Sequence, residues 1–526
     1  MKEYKRYFWI ILLAAFAVRM IGIAGIPAGI NQDEAMGAMD AWALSQYGTD
    51  RFGIFLPVHF TAWRYSQMSV LLAYTMIPFI KVLGFNIYAI RLPMVLVSTM
   101  GIALIYLISK KFFSEKTSLA IMALAAINPW HFMQSRWALD CNLFPHVFLL
   151  GFYLLLLGLE KKRYLYLSMV AFGLTFYCYG IAVYSVPVFL FVYAAWCLKK
   201  KQFSFKDILI SIVIFLVVAS PEIITMALNV LHLPTIETPL FTMPFFPEST
   251  RGNDILFMNF SFAQLGKNIL SMIKYVFVQM PDSLFNTLPA FGPLYHVSIP
   301  FVLIGIVQFT RRLFGEKDVK KQTLDLALWG FLITGIWVGI ITYEVNVNRI
   351  NIIFYPLIML CGYGIWQTME WCGKHGKKLR NAMIVIYSVF GIGFFAQYFT
   401  DFADDIQMYF NVDFLEITET ADRMEDCDSL YITSNMGWQT NPDMAEILTQ
   451  YSCRIDAQYY QEKTTVSGGR ELLPYSERYH FVHMKNQTFE DKDSLYVIHE
   501  SEREYLPEEY EVLAENESFL IVKIHL

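Results

Sequence analysis

The chain has 526 residues, of which 56% are hydrophobic, 16% are aromatic and only 17% are charged. Soluble globular proteins carry about 25% charged residues, so this composition excludes a chain of ordinary soluble domains, and it also excludes the disordered and disulfide-rich secreted classes. The net charge of −5 has two unequal parts: residues 1–399 contain 19 acidic and 32 basic residues, whereas residues 400–526 contain 27 acidic and 9 basic residues. We therefore predict a membrane domain at 1–399 and an acidic soluble domain at 400–526.

Membrane-spanning helices require about 20 consecutive apolar residues. Segments of this kind lie near residues 7–26, 67–84, 89–109, 118–135, 142–159, 164–181, 182–198, 207–227, 297–310, 324–343, 350–370 and 382–399. The segment at 67–84 also contains Gln67, Pro78 and Lys81, which suit a helix at the membrane interface better than one in the bilayer core. We therefore predict about eleven transmembrane helices and one interfacial helix.

Lysine and arginine residues in short loops favour the cytoplasmic side of a membrane. If the segment at 67–84 lies in the interface, all the clusters of basic residues in the membrane domain fall on one side. This arrangement predicts a multi-pass plasma-membrane protein with a cytoplasmic N-terminus and an extracytoplasmic C-terminal domain. It also predicts two long outer loops, at about 27–88 and 228–296, the second with an amphipathic stretch at 262–280.

The acidic tail is predicted to form a small α/β domain. Its strand-like runs lie at residues 429–433, 454–459, 479–483 and 494–499, with a terminal hairpin at 510–514 and 519–525. Asn441 and Pro442 are typical of the start of a helix, which we predict over residues 444–451. Cys427 and Cys453 are the cysteines of this domain, and the sequence leaves open whether they pair or remain thiols.

Two adjacent carboxylates follow the first predicted span. Asp33 and Glu34 lie shortly after Pro27, in the sequence GINQDEAMGA. One interpretation is structural, with Asp33 as the N-cap of a helix that begins at Glu34. The functional interpretation is a general base at the membrane surface, where partial desolvation raises the pKa of a carboxylate toward a useful value. The sequence also leaves open a divalent metal at this pair.

Further charged residues follow other predicted spans on the same outer side. They include His131, Arg136 and Asp140, for which a helical ion pair between Arg136 and Asp140 is the structural alternative. Arg349 suits either a lipid headgroup or a substrate phosphate, and Arg64 lies in the first outer loop. These five are the candidate substrate-binding residues, because an acid that deprotonates a hydroxyl and arginines that hold a phosphate can transfer a group from a lipid phosphate.

Three blocks in this order resemble the GT-C glycosyltransferases that use polyprenyl-phosphate sugars, in particular the family 39 group of protein O-mannosyltransferases and aminoarabinose transferases. The blocks are DEA at 33–35, IKVLGFNIYAIRLPMVLVSTMGIALIYLISKKFF at 80–113 and INPWHFMQSRWALD at 127–140. The sequence likeness extends over about residues 1–200, whereas the remainder resembles the family only in its topology and in its outer C-terminal domain. It implies a GT-C-like fold, a polytopic α-helical membrane protein with interfacial helices in its outer loops and a small C-terminal extracytoplasmic α/β domain.

The resemblance also implies roles for individual residues. Asp33 matches the acid that acts as general base toward the acceptor, with Glu34 as its motif partner. Asp140 matches a second acid on an outer loop, and Arg136 matches the arginine that precedes it. Arg349 lies in the loop that in relatives supplies a cation to the lipid phosphate.

We therefore predict a membrane glycosyltransferase that moves a sugar from a polyprenyl-phosphate carrier to a hydroxyl or amine at the outer leaflet. A single displacement with Asp33 as the base inverts the configuration at the sugar C1, as the resemblance also implies. No cofactor is required because the sugar is already bonded to phosphate, and the need for a divalent metal stays open. The expected partners are the donor lipid, membrane lipids and an unidentified protein, lipid or wall-glycan acceptor, without nucleic acid.

Two other classes remain as alternatives. A transporter or flippase for a lipid-linked or polar substrate would have a similar number of spans, but charged groups at the middle of the spans, which such proteins use, are scarce here. A glycan polymerase or ligase would share the topology.

Overall fold

Up to Phe399 the chain is mostly helical in the computed structural model, which describes residues 2–63, 66–247, 255–257, 260–424, 427–489 and 493–525. The helices of this part are α1 (Lys2–Met20), α2 (Gln32–Tyr47), α3 (Leu71–Leu83), α4 (Ile87–Phe112), α5 (Glu115–Ile127), α6 (Pro129–Gln134), α7 (Asp140–Gly158), α8 (Lys162–Leu174), α9 (Ala182–Lys199), α10 (Phe205–Leu231), α11 (Phe262–Ile273), α12 (Ile299–Gly315), α13 (Val319–Ile341), α14 (Phe354–Trp371) and α15 (Gly376–Phe399). Two short antiparallel strand pairs lie between them: β1 (Phe60–Ala62) with β2 (Ser66–Met68), and β3 (Ile236–Glu237) with β4 (Thr242–Met243).

Each of the eleven predicted spans is helical in the structure. Within the described chain, eight helices are long and apolar enough to cross a membrane, namely α4, α7, α9, α10, α12, α13, α14 and α15. Of the other three, α5 and α8 have 13 residues each, and α1 carries charged residues in its first turns. The predicted interfacial segment forms α3, which has 13 residues, the same length as α5 and α8. The predicted class, a polytopic α-helical membrane protein, is confirmed.

Glycines bring α12 and α14 into backbone contact. A Cβ atom on Gly305 of α12 would overlap the carbonyl oxygen of Leu360 on α14, and a Cβ on Gly364 would overlap that of Phe301. Small residues let two helices approach until their backbones touch, which gains packing contacts where lipid supplies no hydrophobic driving force. The pair of glycines therefore determines how α12 and α14 pack.

Residues 401–525 form an α/β domain. Its helices are α16 (Asp401–Asp405), α17 (Val412–Asp422), α18 (Pro442–Ser452), α19 (Ala457–Tyr460) and α20 (Tyr475–Arg478), and its strands are β5 (Ser429–Thr433), β6 (Val466–Ser467), β7 (Arg470–Glu471), β8 (Tyr479–Val482), β9 (Ser494–His499), β10 (Tyr510–Glu515) and β11 (Phe519–Ile524). The main sheet has the order β10-β11-β9-β5-β8. Strand β5 is parallel to both neighbours, whereas β9, β11 and β10 pair antiparallel.

One predicted strand of this domain, at 454–459, is wrong. Arg454 adopts a positive φ of 49°, which ends the preceding helix, and the side chain of Asp456 accepts a hydrogen bond from the backbone of Gln458, 2.8 Å away. This cap starts α19 where a strand was expected. Cys427 and Cys453 are both free thiols in the structure.

The α/β domain packs on the first loop, which we define as residues 21–86 between α1 and α4. The backbone N–H of Ile30 donates to the carbonyl oxygen of Phe410 at 2.9 Å. Gly29, beside it, has φ +72°, and a Cβ there would overlap the same oxygen, so this approach requires glycine. Farther along, Phe85 of the first loop packs edge-on against Tyr451 of α18, with ring centroids 5.6 Å apart. The first loop thus joins the helical bundle to the α/β domain.

Candidate active site

A cavity of about 400 Å³ lies beside the C-terminal half of α10. Its walls come from the first loop, the connection between α8 and α9, the loop after α10 and the connection between α13 and α14. Most of the lining side chains are apolar or aromatic: Tyr179, Ile181, Val183, Tyr184, Met226, Val230, Phe246 and Ile255. The lining also contains His59, Glu222, His232 and Arg349. Such a lining suits an amphiphilic ligand with an apolar body and a charged head.

Arg349 is the predicted substrate-binding residue that lines this cavity. Its backbone N–H donates to the side-chain oxygen of Asn346 at 2.8 Å, and its Nη1 donates to the carbonyl oxygen of Glu344 at 3.1 Å. These bonds turn the connection between α13 and α14 so that the half-buried guanidinium lies at the cavity wall. A cation with apolar neighbours attracts an anion more strongly than one in open water, because the effective dielectric constant is lower.

A buried hydrogen-bonded pair, which sequence reasoning missed, lies in the same lining. Nδ1 of His59 is 3.0 and 3.1 Å from the two carboxylate oxygens of Glu222. The two residues are 163 positions apart, in the first loop and α10. The sequence did contain one signal, because Glu222 is an acid within the apolar part of α10. Burying a carboxylate without a partner costs free energy, so such a residue indicates that a partner is nearby.

Asp33 lies half-buried in the first turn of α2. The prediction that it is an N-cap is wrong, because Asn31 occupies that position and accepts a hydrogen bond from the backbone N–H of Asp33 at 3.0 Å. Asp33 is one helical turn before Gly37, where a Cβ would lie 3.6 Å from the Met68 side chain. The second strand of the first loop therefore packs against this helix, and Asp33 itself is not among the residues that line the cavity.

Glu34, predicted as the motif partner of Asp33, is fully buried and paired with Arg91. Nε of Arg91 donates to Oε1 and Nη2 donates to Oε2, each at 2.9 Å. The backbone N–H of Ala138 also donates to Oε1, at 2.8 Å. Glu34 therefore ties α2 to α4 and to the segment before α7. A metal bound at Asp33 and Glu34 would compete with this ion pair.

Arg136 and His131 face the bundle interior. The guanidinium of Arg136 donates to the carbonyl oxygens of Arg19 and Ile26, at 2.7 and 2.8 Å, and forms no ion pair with Asp140 within the described chain. The predicted helical ion pair is wrong because the chain leaves helix between α6 and α7, which removes the i, i+4 spacing. Nη2 of Arg19 donates to Nδ1 of His131 at 2.9 Å, so the other ring nitrogen donates to the Tyr355 hydroxyl at 3.0 Å.

Asp140 begins α7 and contacts the first loop. One of its oxygens accepts a hydrogen bond from its neighbour Cys141, and the other accepts one from the backbone of Ser69 at 3.3 Å. Asp140 is therefore held against the first loop at Ser69 and is not among the residues that line the cavity. Arg64 lies outside the residues that the structure describes. Among those residues, no cluster of three or more His, Cys, Asp or Glu side chains has the proximity that a metal requires.

The first loop also holds a buried acidic pair away from the cavity. Asp40 forms an ion pair with Arg51 at 2.6 Å, yet burial outweighs this cation and raises the pKa of Asp40 to about 6. Burial, and then the nearby charge of Asp40, raise the pKa of Asp50 to about 7. One Asp50 oxygen accepts from the backbone N–H groups of Phe52 and Ile54, and the other has no partner among the described atoms.

We expect this pair to make the protein less stable as the pH rises. The pKa of Asp50 is higher in the folded than in the unfolded state, so the folded state holds more protons between about pH 4 and pH 7, and stability falls over that range. Asp50→Asn keeps the acceptor oxygen and removes the charge. Thermal unfolding in detergent should show a flatter pH dependence and a higher unfolding temperature above pH 7 than wild type. The exposed Asp405→Asn serves as control; equal pH slopes for wild type and Asp50→Asn would contradict the prediction.

Comparison with known proteins finds one family and several solved structures that resemble the chain. Residues 68–224 match the family described as dolichyl-phosphate-mannose-protein mannosyltransferase. No curated protein matches the chain by sequence. Among solved structures, the crystal structure of ArnT from Cupriavidus metallidurans bound to undecaprenyl phosphate is similar with a TM-score of 0.60 and 12% identity, covering 98% of this chain and 97% of ArnT.

A second group of similar structures comes from an archaeal enzyme. The apo oligosaccharyltransferase of Archaeoglobus fulgidus has a TM-score of 0.52 and 11% identity, covering 85% of this chain and 64% of that chain. AglB of the same organism, in complex with an inhibitory peptide and a dolichol-phosphate, has a TM-score of 0.50 and 12% identity, with the same coverage. The predicted resemblance to polyprenyl-phosphate-dependent glycosyltransferases of the GT-C fold is confirmed, and the likeness to ArnT extends over 98% of the chain.

Proposed function

We propose that this protein is a membrane glycosyltransferase that takes a sugar from a polyprenyl-phosphate carrier and transfers it to an acceptor hydroxyl or amine. The observation that carries the proposal is the cavity beside α10, in which an arginine, Arg349, is set among apolar and aromatic side chains. A polyprenyl-phosphate sugar has matching chemistry, an apolar chain joined to an anion. ArnT, which has the same fold, has been crystallised with undecaprenyl phosphate.

The proposed reaction is a single displacement. Asp33 accepts the proton of the acceptor group, the acceptor oxygen or nitrogen bonds to C1 of the sugar, and the bond from C1 to the phosphate oxygen breaks. Polyprenyl phosphate leaves with that electron pair, and Arg349 balances its added negative charge. Attack from the side opposite the leaving group inverts C1. No nucleotide is consumed because the donor already contains the phosphate ester.

The membrane arrangement follows from the basic clusters of the sequence. We place the N-terminus in the cytoplasm and the α/β domain with the first loop outside, so that transfer takes place at the outer leaflet. The α/β domain then covers the first loop and is in position to present the acceptor. Its excess of acidic residues disfavours an anionic polymer on its surface. The reaction as written requires no metal; a divalent ion near Asp33 would be an addition to it.

A donor comparison tests this proposal. Purified protein would be incubated with a membrane lipid and protein extract and with either a radiolabelled polyprenyl-phosphate sugar or the matching nucleotide sugar. We expect label in the acceptor fraction from the lipid-linked donor alone, with inverted configuration at C1. Transfer from the nucleotide sugar, or retention at C1, would contradict the proposal. Movement of the donor across vesicles without any transfer would favour a flippase.

A further inference from the structure

We infer that His59, held by Glu222, donates a hydrogen bond to the phosphate of the donor lipid and so forms a second phosphate contact beside Arg349. This inference rests on the proposed function, because it assumes that the cavity beside α10 receives a phosphate. The sequence by itself did not point to His59, which is one of ten histidines in the chain.

The first support is that the His59 ring is buried and has one nitrogen without a hydrogen-bond partner in the described part of the chain. Only 4% of the residue is exposed, its ring forms part of the cavity lining, and its Nε2 has no hydrogen-bond partner among the described atoms. Nδ1 is already engaged by both oxygens of Glu222. Buried polar atoms are nearly always paired in folded proteins. The unpaired nitrogen of this lining residue therefore has an open hydrogen-bonding position that a ligand in the cavity can fill.

The second support is the charge of Glu222, which is 3% exposed. A carboxylate can only accept, so Nδ1 of His59 carries a hydrogen and donates it. A buried carboxylate gains most from a partner that carries positive charge, so Glu222 stabilises the ring when a bound anion favours a second hydrogen on Nε2. When both nitrogens of the ring carry hydrogens, Nε2 becomes a donor that needs an acceptor. An anionic oxygen satisfies it best.

The third support is another charged side chain in the lining of the cavity. Arg349 lines the same cavity, so a guanidinium and the His59 ring share one site with apolar walls. A phosphate has several acceptor oxygens and accepts from both, whereas a neutral sugar hydroxyl needs neither charge. The phosphate also gains negative charge as the bond to C1 breaks. The hydrogen bond from His59 should therefore strengthen as polyprenyl phosphate leaves.

Two substitutions of His59 separate this role from a structural one. The amide of asparagine reaches the position of Nδ1, so His59→Asn keeps the hydrogen bond to Glu222 and removes the donor at Nε2. The amide of glutamine reaches the position of Nε2, so His59→Gln keeps a donor toward the cavity. A purely structural histidine predicts that Asn is tolerated better than Gln. A phosphate contact predicts the reverse order.

The experiment measures binding of undecaprenyl phosphate, and of undecaprenol as the uncharged probe, to purified full-length variants in detergent. We expect His59→Asn to weaken binding of the phosphate by about tenfold or more, the loss of one charge-assisted hydrogen bond, with His59→Gln retaining part of it. Binding of undecaprenol should be the same in all variants. Glu222→Gln should also weaken phosphate binding, because it no longer stabilises the charged ring. The exposed His375→Asn is the matched control, and unfolding temperatures identify any misfolded variant.

The outcomes separate this inference from the proposed function. If wild type does not prefer the phosphate over the alcohol, the proposed function fails and the inference fails with it. If wild type prefers the phosphate and Arg349→Gln weakens it but His59→Asn does not, only the inference is wrong. A His59→Asn variant that binds the phosphate normally but transfers sugar slowly would also overturn it, since the ring would then act on the acceptor.

Discussion

Replacing Asp33 by asparagine is expected to lower the rate of sugar transfer by about a hundredfold or more, the usual contribution of a general base, while binding of polyprenyl phosphate stays close to wild type. Asparagine has the same shape but cannot accept the acceptor proton at neutral pH. The start of α2 should survive, because its cap is the side chain of Asn31 and the bond involves only the backbone of Asp33. The measurement is initial transfer from a labelled polyprenyl-phosphate sugar, with lipid binding measured in parallel.

The chain offers a matched control for this variant. Asp443 stands in the first turn of α18, two residues after Asn441, whose side chain accepts from the Asp443 backbone at 2.9 Å. Asp443→Asn therefore removes the same charge from the same helical position in the α/β domain, with the same small loss of helix-dipole stabilisation. We expect it to transfer sugar at the wild-type rate. Normal transfer by Asp33→Asn would refute the proposed base, and a parallel loss of lipid binding would assign Asp33 to binding instead.

Replacing Glu34 by alanine is expected to produce the largest loss of stability among single substitutions of the candidate site, of about 3–5 kcal/mol. The side chains of Glu34 and Arg91 are both completely buried, so the variant leaves a guanidinium without its counter-charge. The backbone N–H of Ala138 also loses its acceptor. Arg91 keeps carbonyl partners, but these carry no full charge. Thermal unfolding of the detergent-purified protein measures the effect.

An exposed ion pair serves as the reference for this loss. Glu419 pairs with Arg423 on the surface of α17, where side-chain exposure is 43% and 73%. Glu419→Ala is expected to change stability by less than about 1 kcal/mol, because water and salt screen such pairs. If Glu34→Ala and Glu419→Ala lower the unfolding temperature equally, Glu34 does not have the structural role assigned to it.

Local patterns in the sequence determined much of the architecture. Runs of apolar residues located the eight helices of the described chain that are long and apolar enough to cross a membrane, and the segment at 67–84 forms the separate short helix α3. Asn441 and Pro442 marked the start of α18 correctly. These features are readable because backbone hydrogen bonding in a helix and burial along a span depend on neighbours a few residues apart. The same reasoning failed at 454–459, where one side-chain cap outweighed the strand pattern.

The partners of the charged residues were decided by the tertiary structure alone. Sequence spacing suggested an ion pair between Arg136 and Asp140. In the structure, the Arg136 guanidinium instead donates hydrogen bonds to the carbonyl oxygens of Arg19 and Ile26. The structure pairs Glu34 with Arg91 across 57 residues and His59 with Glu222 across 163. Such pairs form between elements whose rotation and depth are set by packing, as where Gly305 meets α14. Sequence therefore shows that a charge in an apolar segment needs a partner, but only the packed bundle determines which residue supplies it.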